Sequence, residues 1–395
     1  MFNFQTLLTN EEQARYLNAA RQAGNWLSNT QNTVERPWGV VRTLDSADKG
    51  RYLEKCNLPS ALIVPAAVWI HGISLFSLIN LSKAPLVNAK QYLESAMLAS
   101  KYLATLHCTV PEWEKAYGGF HEFFPGDAYS APRDGATGAM TCISLYKETG
   151  EKRWLDMAIR FAQWYTTHGS DPDGYPWDDF LLDKGEGTSK KRGDWQAAGA
   201  LLYWQLYKLT KKDEWKDCIL KILDVFEKIC ANDPGNDTAY TFHGDCVISI
   251  GNDDFANVIL LVGYRLFKEK RYLELYRKRM MAEWDRQSSS GAFPGYGGTF
   301  VTALEMLDLL EFQAETGIEV LPTEELKRRL LLAGEYTLTL QNAISTDRWV
   351  SGGVYGESNF GLGRDIIHAR DTAYGVLLWL QLAGFHCQEY SSSEC

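Results

Sequence analysis

With 395 residues, 45% of them hydrophobic and 23% charged, the chain has the composition of a folded protein with a substantial core, which excludes a disordered one. Its formal net charge of -10, without any extended Lys/Arg block, argues against nucleic-acid binding, which needs a basic footprint, and against an anionic membrane surface.

In chain order, the N-terminal stretch MFNFQTLLTNEEQARYLNAARQ is polar and amphipathic. It lacks the basic and apolar regions of a secretory signal, and a first helix is expected over 10–29. The most apolar stretch, ALIVPAAVWIHGISLFSLINL, contains Pro65 and His71 and is expected to form a buried helix over 60–82 instead of a bilayer span. Helical spacing of apolar residues then predicts helices over 86–107, 134–149, 151–168, 194–210, 212–231, 254–268, 270–287, 299–316, 323–342 and 371–384, about twelve in all. No set of alternating runs with hairpin turns predicts a sheet. The eight cysteines include no C-x-x-C pair, and most sit among apolar helical neighbours as small hydrophobes, so a cytoplasmic location is expected.

The connections alternate. KETGEKRW, KLTKKDEW and FKEKRYL are short and charged, whereas YGGFHEFFPGDAYSAPRD, DPDGYPWDDFLLDKGEGTSKKRGD, SSSGAFPGYGG and SGGVYGESNFGLGRDIIHARD are long and rich in Gly and aromatics. Helices after long connections are apolar all round (ATGAMTCISLY, TAYGVLLWLQLAG), and those after short ones are amphipathic (KRWLDMAIRFAQWYTTH). The repeat predicts an all-α (α/α)6 toroid of six inner and six outer helices, a single domain spanning 1–395, with the long connections on one rim.

That rim collects acids at helix starts: Asp134, Asp194 and Asp254 at intervals of about sixty residues, and Asp371. Each alone fits a helix cap. Facing one cavity, they are candidate catalytic acids and bases, because converging carboxylates in a partly dry cleft have their pKa values driven apart. Arg133, Arg192 and Arg370 stand beside them, suited to salt bridges or to an anionic substrate. Phe120, Tyr129, Trp177, Tyr296 and Tyr355 are candidate stacking surfaces for a sugar. His121, His243 and His368 fall in long connections as candidate bases or substrate contacts, while His71, His107, His168 and His386 read as structural. The group His243, Asp245, Cys246 and His368 matches no standard ligand spacing, so no metal is expected. There is no P-loop, dinucleotide fingerprint or G-x-S-x-G, and no cofactor is expected.

The phrases DGATGAMTCISLYKETGEKRWLDMAIRFAQWY and DPDGYPWDDFLLDKGEGTSKKRGDWQAAGALLYWQLYKLT resemble the (α/α)6 carbohydrate enzymes, above all the unsaturated glucuronyl hydrolases, whose R-G-x-x-W helix start reads Arg192, Gly193, Asp194 and Trp195 here, one residue shorter before the Trp. The resemblance implies Asp acid/base chemistry that hydrates an unsaturated uronate. Counting helices puts the pair at Asp134 and Asp194, and matching by phrase shifts the register by one and gives Asp134 and Asp254 different duties. It also implies that Arg133 or Arg192 holds the uronate carboxylate and that Trp195 lies near the substrate. A polysaccharide lyase is the close variant. HARDTAYG is similar to the acid motif of class II terpene cyclases, although Arg370 stands where that motif has its proton-donating Asp and His368 where it has its first Asp. The expected activity is therefore a glycoside hydrolase or lyase acting on a small-molecule or oligosaccharide substrate, with isoprenoid cyclisation as the alternative.

Overall fold

The computed structural model describes residues 8–38, 48–188, 192–231, 240–243, 246–249, 255–294, 298–356, 365–387 and 390–394, with the backbone alone at 240–243 and 246–249. Twelve α-helices occur among them. Odd-numbered helices are α1 (Asn10–Thr30), α3 (Ala89–Leu106), α5 (Lys152–Thr167), α7 (Asp213–Ala231), α9 (Lys270–Arg286) and α11 (Thr323–Thr339). Even-numbered helices are α2 (Val68–Ser82), α4 (Pro132–Thr149), α6 (Ala200–Thr210), α8 (Val258–Phe267), α10 (Gly298–Thr316) and α12 (Ala369–Leu382).

Burial separates the two sets. Helix α12 buries every residue from Ala369 to Leu382, and α2 every residue from Val68 to Leu81. An element apolar on all sides is stable only when surrounded. By contrast, α5 buries one stripe, Trp154, Ala158, Phe161, Ala162 and Tyr165, and leaves its charges to solvent. The even helices contact one another in the order α2, α4, α6, α8, α10, α12 and back to α2, which closes the inner ring, while α1 packs on α12 from outside. The architecture is the (α/α)6 toroid, with six helices inside and six outside. Backbones within the ring come close: a Cβ on Gly72 of α2 would lie 3.5 Å from the Gly138 Cα of α4.

Helix ends follow local chemistry. Thr9 and Glu12 form a reciprocal capping box at the start of α1. Gly150, at φ 71°, ends α4 in the left-handed conformation that glycine adopts without a Cβ clash.

Three sequence expectations need correction. The helix expected from residue 60 begins at Val68, because Pro65 lacks an amide hydrogen and disfavours helix before it. Instead, β2 (Leu62–Pro65) pairs with β1 (Leu53–Asn57), which also pairs with β9 (Ile366–His368). Strands thus occur where none were expected. Two further three-stranded sheets form from β3 (Tyr129–Ser130), β4 (Phe180–Leu181) and β5 (Glu186–Gly187), and from β6 (Arg192–Gly193), β8 (Cys246–Ser249) and β7 (Tyr240–His243). At two to five residues these strands are too short for alternation to stand out in sequence. In addition, residues 194–199 form a 3-10 helix that leads into α6.

Residues 390–394 pack between inner helices. Tyr390 stacks on Phe255 with ring centroids 4.4 Å apart, and the Ser391 hydroxyl (2.7 Å) and the Ser392 amide (2.9 Å) donate to Asp308 of α10. No helix among the described residues is long and apolar enough to cross a membrane.

Candidate active site

A cavity of about 370 Å³ lies where α2, α4 and α12 start, under the β1–β9 edge. Strand β1 contributes Glu54 and Lys55, helix α2 contributes Trp69 and Ile70, and helix α4 contributes Asp134. The connection between α3 and α4 supplies Glu122, Phe123 and Tyr129, while β9 and the start of α12 supply His368 and Arg370.

The 119–131 connection is held in place by helix and strand bonds. The first amide of α2, at Val68, donates to the Glu122 carbonyl (2.8 Å), and the Glu122 amide donates to the Tyr129 carbonyl (3.0 Å). The Ala131 amide donates to the Glu122 carboxyl (3.1 Å). Glu122 is therefore fixed at both backbone and side chain. It is 2% exposed.

Its carboxyl is hydrogen-bonded to that of Asp134, and burial, then the neighbouring Asp134, push it well above the usual carboxylate range. A buried carboxyl raised by a second carboxyl beside it is an arrangement suited to acid/base chemistry. Arg133 supports it from below: Nη1 donates to Asp134 Oδ1 (3.1 Å), and the guanidinium lies over the Trp69 ring at 5.5 Å. Burial lowers the His368 pKa to about 4, so its imidazole is neutral at pH 7. Arg370 Nε donates to Asp371 Oδ1 (2.8 Å), with both residues buried. The Tyr129 hydroxyl bonds Asp179, and burial followed by that bond raises the phenol far above its ordinary value. Such a phenol is suited to hydrogen bonding and poorly suited to proton abstraction.

The sequence candidates are thus distributed unevenly. Asp134, Tyr129, His368 and Arg370 line this cavity, Arg133 braces it, and Asp371 is buried against Arg370. Asp194 does not line it. It is wholly buried and ion-paired with Arg279 of α9. Arg192 pairs with Asp171 and Asp173 on the 169–176 turn. Phe120 is a core ring between His107 and Phe161. Trp177 covers Gly187, and Trp195 covers Gly193. Tyr355 accepts a bond from the Asn342 amide (2.7 Å). His121 lines a different concavity, described below. Asp254, Tyr296 and the side chain of His243 lie outside the described residues. Among the described residues no group of three or more His, Cys, Asp or Glu is placed to hold a metal ion.

Sequence reasoning missed Glu122, Lys55, Glu54 and Trp69. Glu122 left one signal, as the sole charge within the aromatic run GGFHEFF. Trp69 was hidden in the apolar run read as a buried helix.

Compared with sequence-family models and with curated proteins, the chain has no match. Solved structures do match in fold. A sugar epimerase from a ruminal bacterium superposes with a TM-score of 0.65 at 13% identity, covering 94% of this chain and 98% of its own. A D-mannose isomerase gives 0.64 at 12% identity, covering 95% and 97%. A family 76 glycoside hydrolase from a bovine Bacteroides thetaiotaomicron strain gives 0.62 at 14% identity, covering 93% and 77%. At these identities the likeness establishes the toroidal fold.

Proposed function

We propose that the chain is a carbohydrate-active enzyme, a glycoside hydrolase of the unsaturated-uronate type working in the cavity at the α2, α4 and α12 starts. The observation that carries this reading is the Glu122–Asp134 carboxyl pair lining one cavity with Lys55 and Arg370, Glu122 being buried and raised by its neighbour. A uronate presents an anionic carboxylate and apolar ring faces, and the cavity offers Lys55, paired with Glu54 at 3.2 Å, and Arg370, paired with Asp371, together with Trp69 and Phe123. The sugar-processing enzymes with the same fold support the substrate class by analogy. Several charged groups line the cavity, which suits a polyol better than the apolar pocket an isoprenoid would require. None of the comparisons supports the cyclase alternative.

In this reaction the carboxyl pair gives its proton to one carbon of the ring double bond, and water adds to the neighbouring carbon. The surplus proton of that water returns to the pair. The hemiketal so formed opens, and the glycosidic bond is lost. The raised phenol of Tyr129 weighs against that residue as the base of the lyase variant, which removes the proton alpha to the carboxylate, and leaves His368 for that part.

One observation favours a second reading. The neutral His368 imidazole lines the cavity, as a base for moving a proton alpha to a sugar carbonyl would, and a sugar epimerase and a D-mannose isomerase share the fold.

The test is turnover of unsaturated uronate oligosaccharides, followed by loss of the double-bond absorbance, alongside incubation of saturated aldoses in D2O followed by NMR. Loss of absorbance that disappears in Asp134→Asn supports the hydrolase. Deuterium uptake at C2 of aldoses, without uronate turnover, selects the isomerase or epimerase reading. Inactivity of folded protein in both arms removes both.

A further inference from the structure

We propose that a second concavity on the same rim is a binding groove for a neutral oligosaccharide, an inference that rests on the carbohydrate reading of the chain. The groove, about 520 Å³, falls in the size range of small-molecule sites, roughly 300–1,000 Å³. It shares a wall with the acid cavity. Along the 121–129 segment, His121, Asp127 and Ala128 line the groove, while Glu122, Phe123 and Tyr129 line the cavity. One short segment therefore presents different side chains to two concavities.

Three features make this a built site. Trp113 is 55% exposed at the groove, an indole left in solvent at the edge of a depression. Such a ring stacks on the apolar C–H face of a pyranose. His121 is only 7% exposed yet lines the groove, and its Nδ1 lies 2.6 Å from the Asp127 carbonyl. A carbonyl only accepts, so Nδ1 carries the proton and Nε2 is the ring atom left for a ligand. The floor is also anchored. The Trp164 indole donates to the Lys115 carbonyl (2.8 Å), and the Lys115 stem lies over Gly185, where a Cβ would come within 2.2 Å of its Cδ.

Charge selects the ligand class. Glu112, Glu114, Asp127 and Asp183 outnumber Lys115 and Lys184, so the groove repels a polyanion. Carboxylates accept paired sugar hydroxyls, and an aromatic platform with hydroxyl acceptors around it fits an uncharged saccharide.

The experiment is calorimetric titration of mannotriose and cellotriose into the Asp134→Asn protein, in which turnover is disabled and the groove is intact, with Trp113→Ala and Gly185→Ala added in turn. At least one trisaccharide is expected to bind, and Trp113→Ala is expected to weaken it about tenfold without moving the melting temperature. Gly185→Ala, which displaces Lys115, is expected to weaken it as well. Absence of binding by both trisaccharides, or equal binding by the Trp113→Ala protein, overturns the groove. Trp113-dependent binding of oligouronates in preference to neutral sugars overturns the ligand class. The two proposals fail differently: Trp113-dependent binding without turnover by the parent enzyme refutes the hydrolase, and turnover without Trp113-dependent binding refutes the groove.

Discussion

Arg279 Nη2 donates to Asp194 Oδ2 at 2.9 Å, joining the start of the 3-10 helix before α6 to α9, with side chains 10% and 0% exposed. The guanidinium also lies over Phe226 at 5.3 Å and donates from Nε to Asn257 at 2.5 Å. This acid serves the ring's construction. Removing one partner of a buried pair strands the other charge, so Asp194→Ala is expected to cost about 3–5 kcal/mol. Denaturant unfolding checks it, and stability equal to the parent would remove the structural assignment.

At the cavity the expectation is reversed. Asp134→Asn and Glu122→Gln are expected to lower turnover by about 10²- to 10⁴-fold, as loss of a positioned acid or base does. Both substitutions keep shape, so stability should change little. A fall in melting point that accounts for the lost activity would count against the catalytic role.

The pH profile of the same pair follows from its environment. Burial and Asp134 raise the Glu122 pKa, so the proton needed for donation is held to higher pH than on an ordinary carboxyl and is lost as pH rises through that raised value. Turnover should therefore fall on the alkaline side. In Asp134→Asn the neighbouring charge is gone, and the Glu122 titration, read by NMR of a labelled carboxyl, should move to lower pH. An unmoved titration would show that the two groups are not coupled.

Acid should weaken the fold through its buried histidines. His71 Nδ1 accepts from the Tyr52 amide (3.3 Å), Nε2 faces the Ala99 carbonyl (3.0 Å), and burial lowers the pKa from 6.5 to about 4. A group whose folded pKa is depressed leaves the unfolded chain with more protons. Its contribution is complete above pH 6.5 and is lost as pH falls toward 4. His107 and His368, also lowered to about 4, act in the same direction. Glu311, pushed up to about 7, acts oppositely, and its contribution is lost as pH rises from 4.5 to 7. Between pH 6 and 5, His71→Gln should flatten the pH dependence of unfolding free energy by up to about 1.4 kcal/mol per pH unit. An unchanged slope would contradict the buried neutral imidazole.

The packing of the chain end is testable through one ring. Tyr390 stacks on Phe255 and meets Tyr374 edge to face, while the serines after it bond Asp308. Tyr390→Ala should cost roughly 2 kcal/mol, less than a fully buried aromatic because the ring is only partly covered. A variant as stable as the parent would show that the segment adds nothing to the ring.

The ring itself was legible in the sequence because burial on all sides demands apolar residues on all sides. ATGAMTCISLY and TAYGVLLWLQLAG carry that demand openly, and they became α4 and α12. The cavity was legible only in part. Asp134, Tyr129, His368 and Arg370 announced themselves by lying in long connections next to helix starts. Glu122 did not, since nothing local says that a carboxyl will be buried. Its burial depends on the Val68 amide more than fifty positions earlier and on Asp134 later in the chain. Asp194 and Asp134 look alike as helix-start acids, and their distant partners, Arg279 for the one and Glu122 for the other, separate them.

Sequence alone thus determined the number, order and inner or outer character of the helices, because periodicity and composition are local consequences of which faces must leave water. Which charges meet is a property of distant partners. The tertiary structure decided that Asp194 would be neutralised inside the wall and that Glu122 would be buried against Asp134, because the strength of an electrostatic contact is set by separation and burial, and neither is written in any one segment.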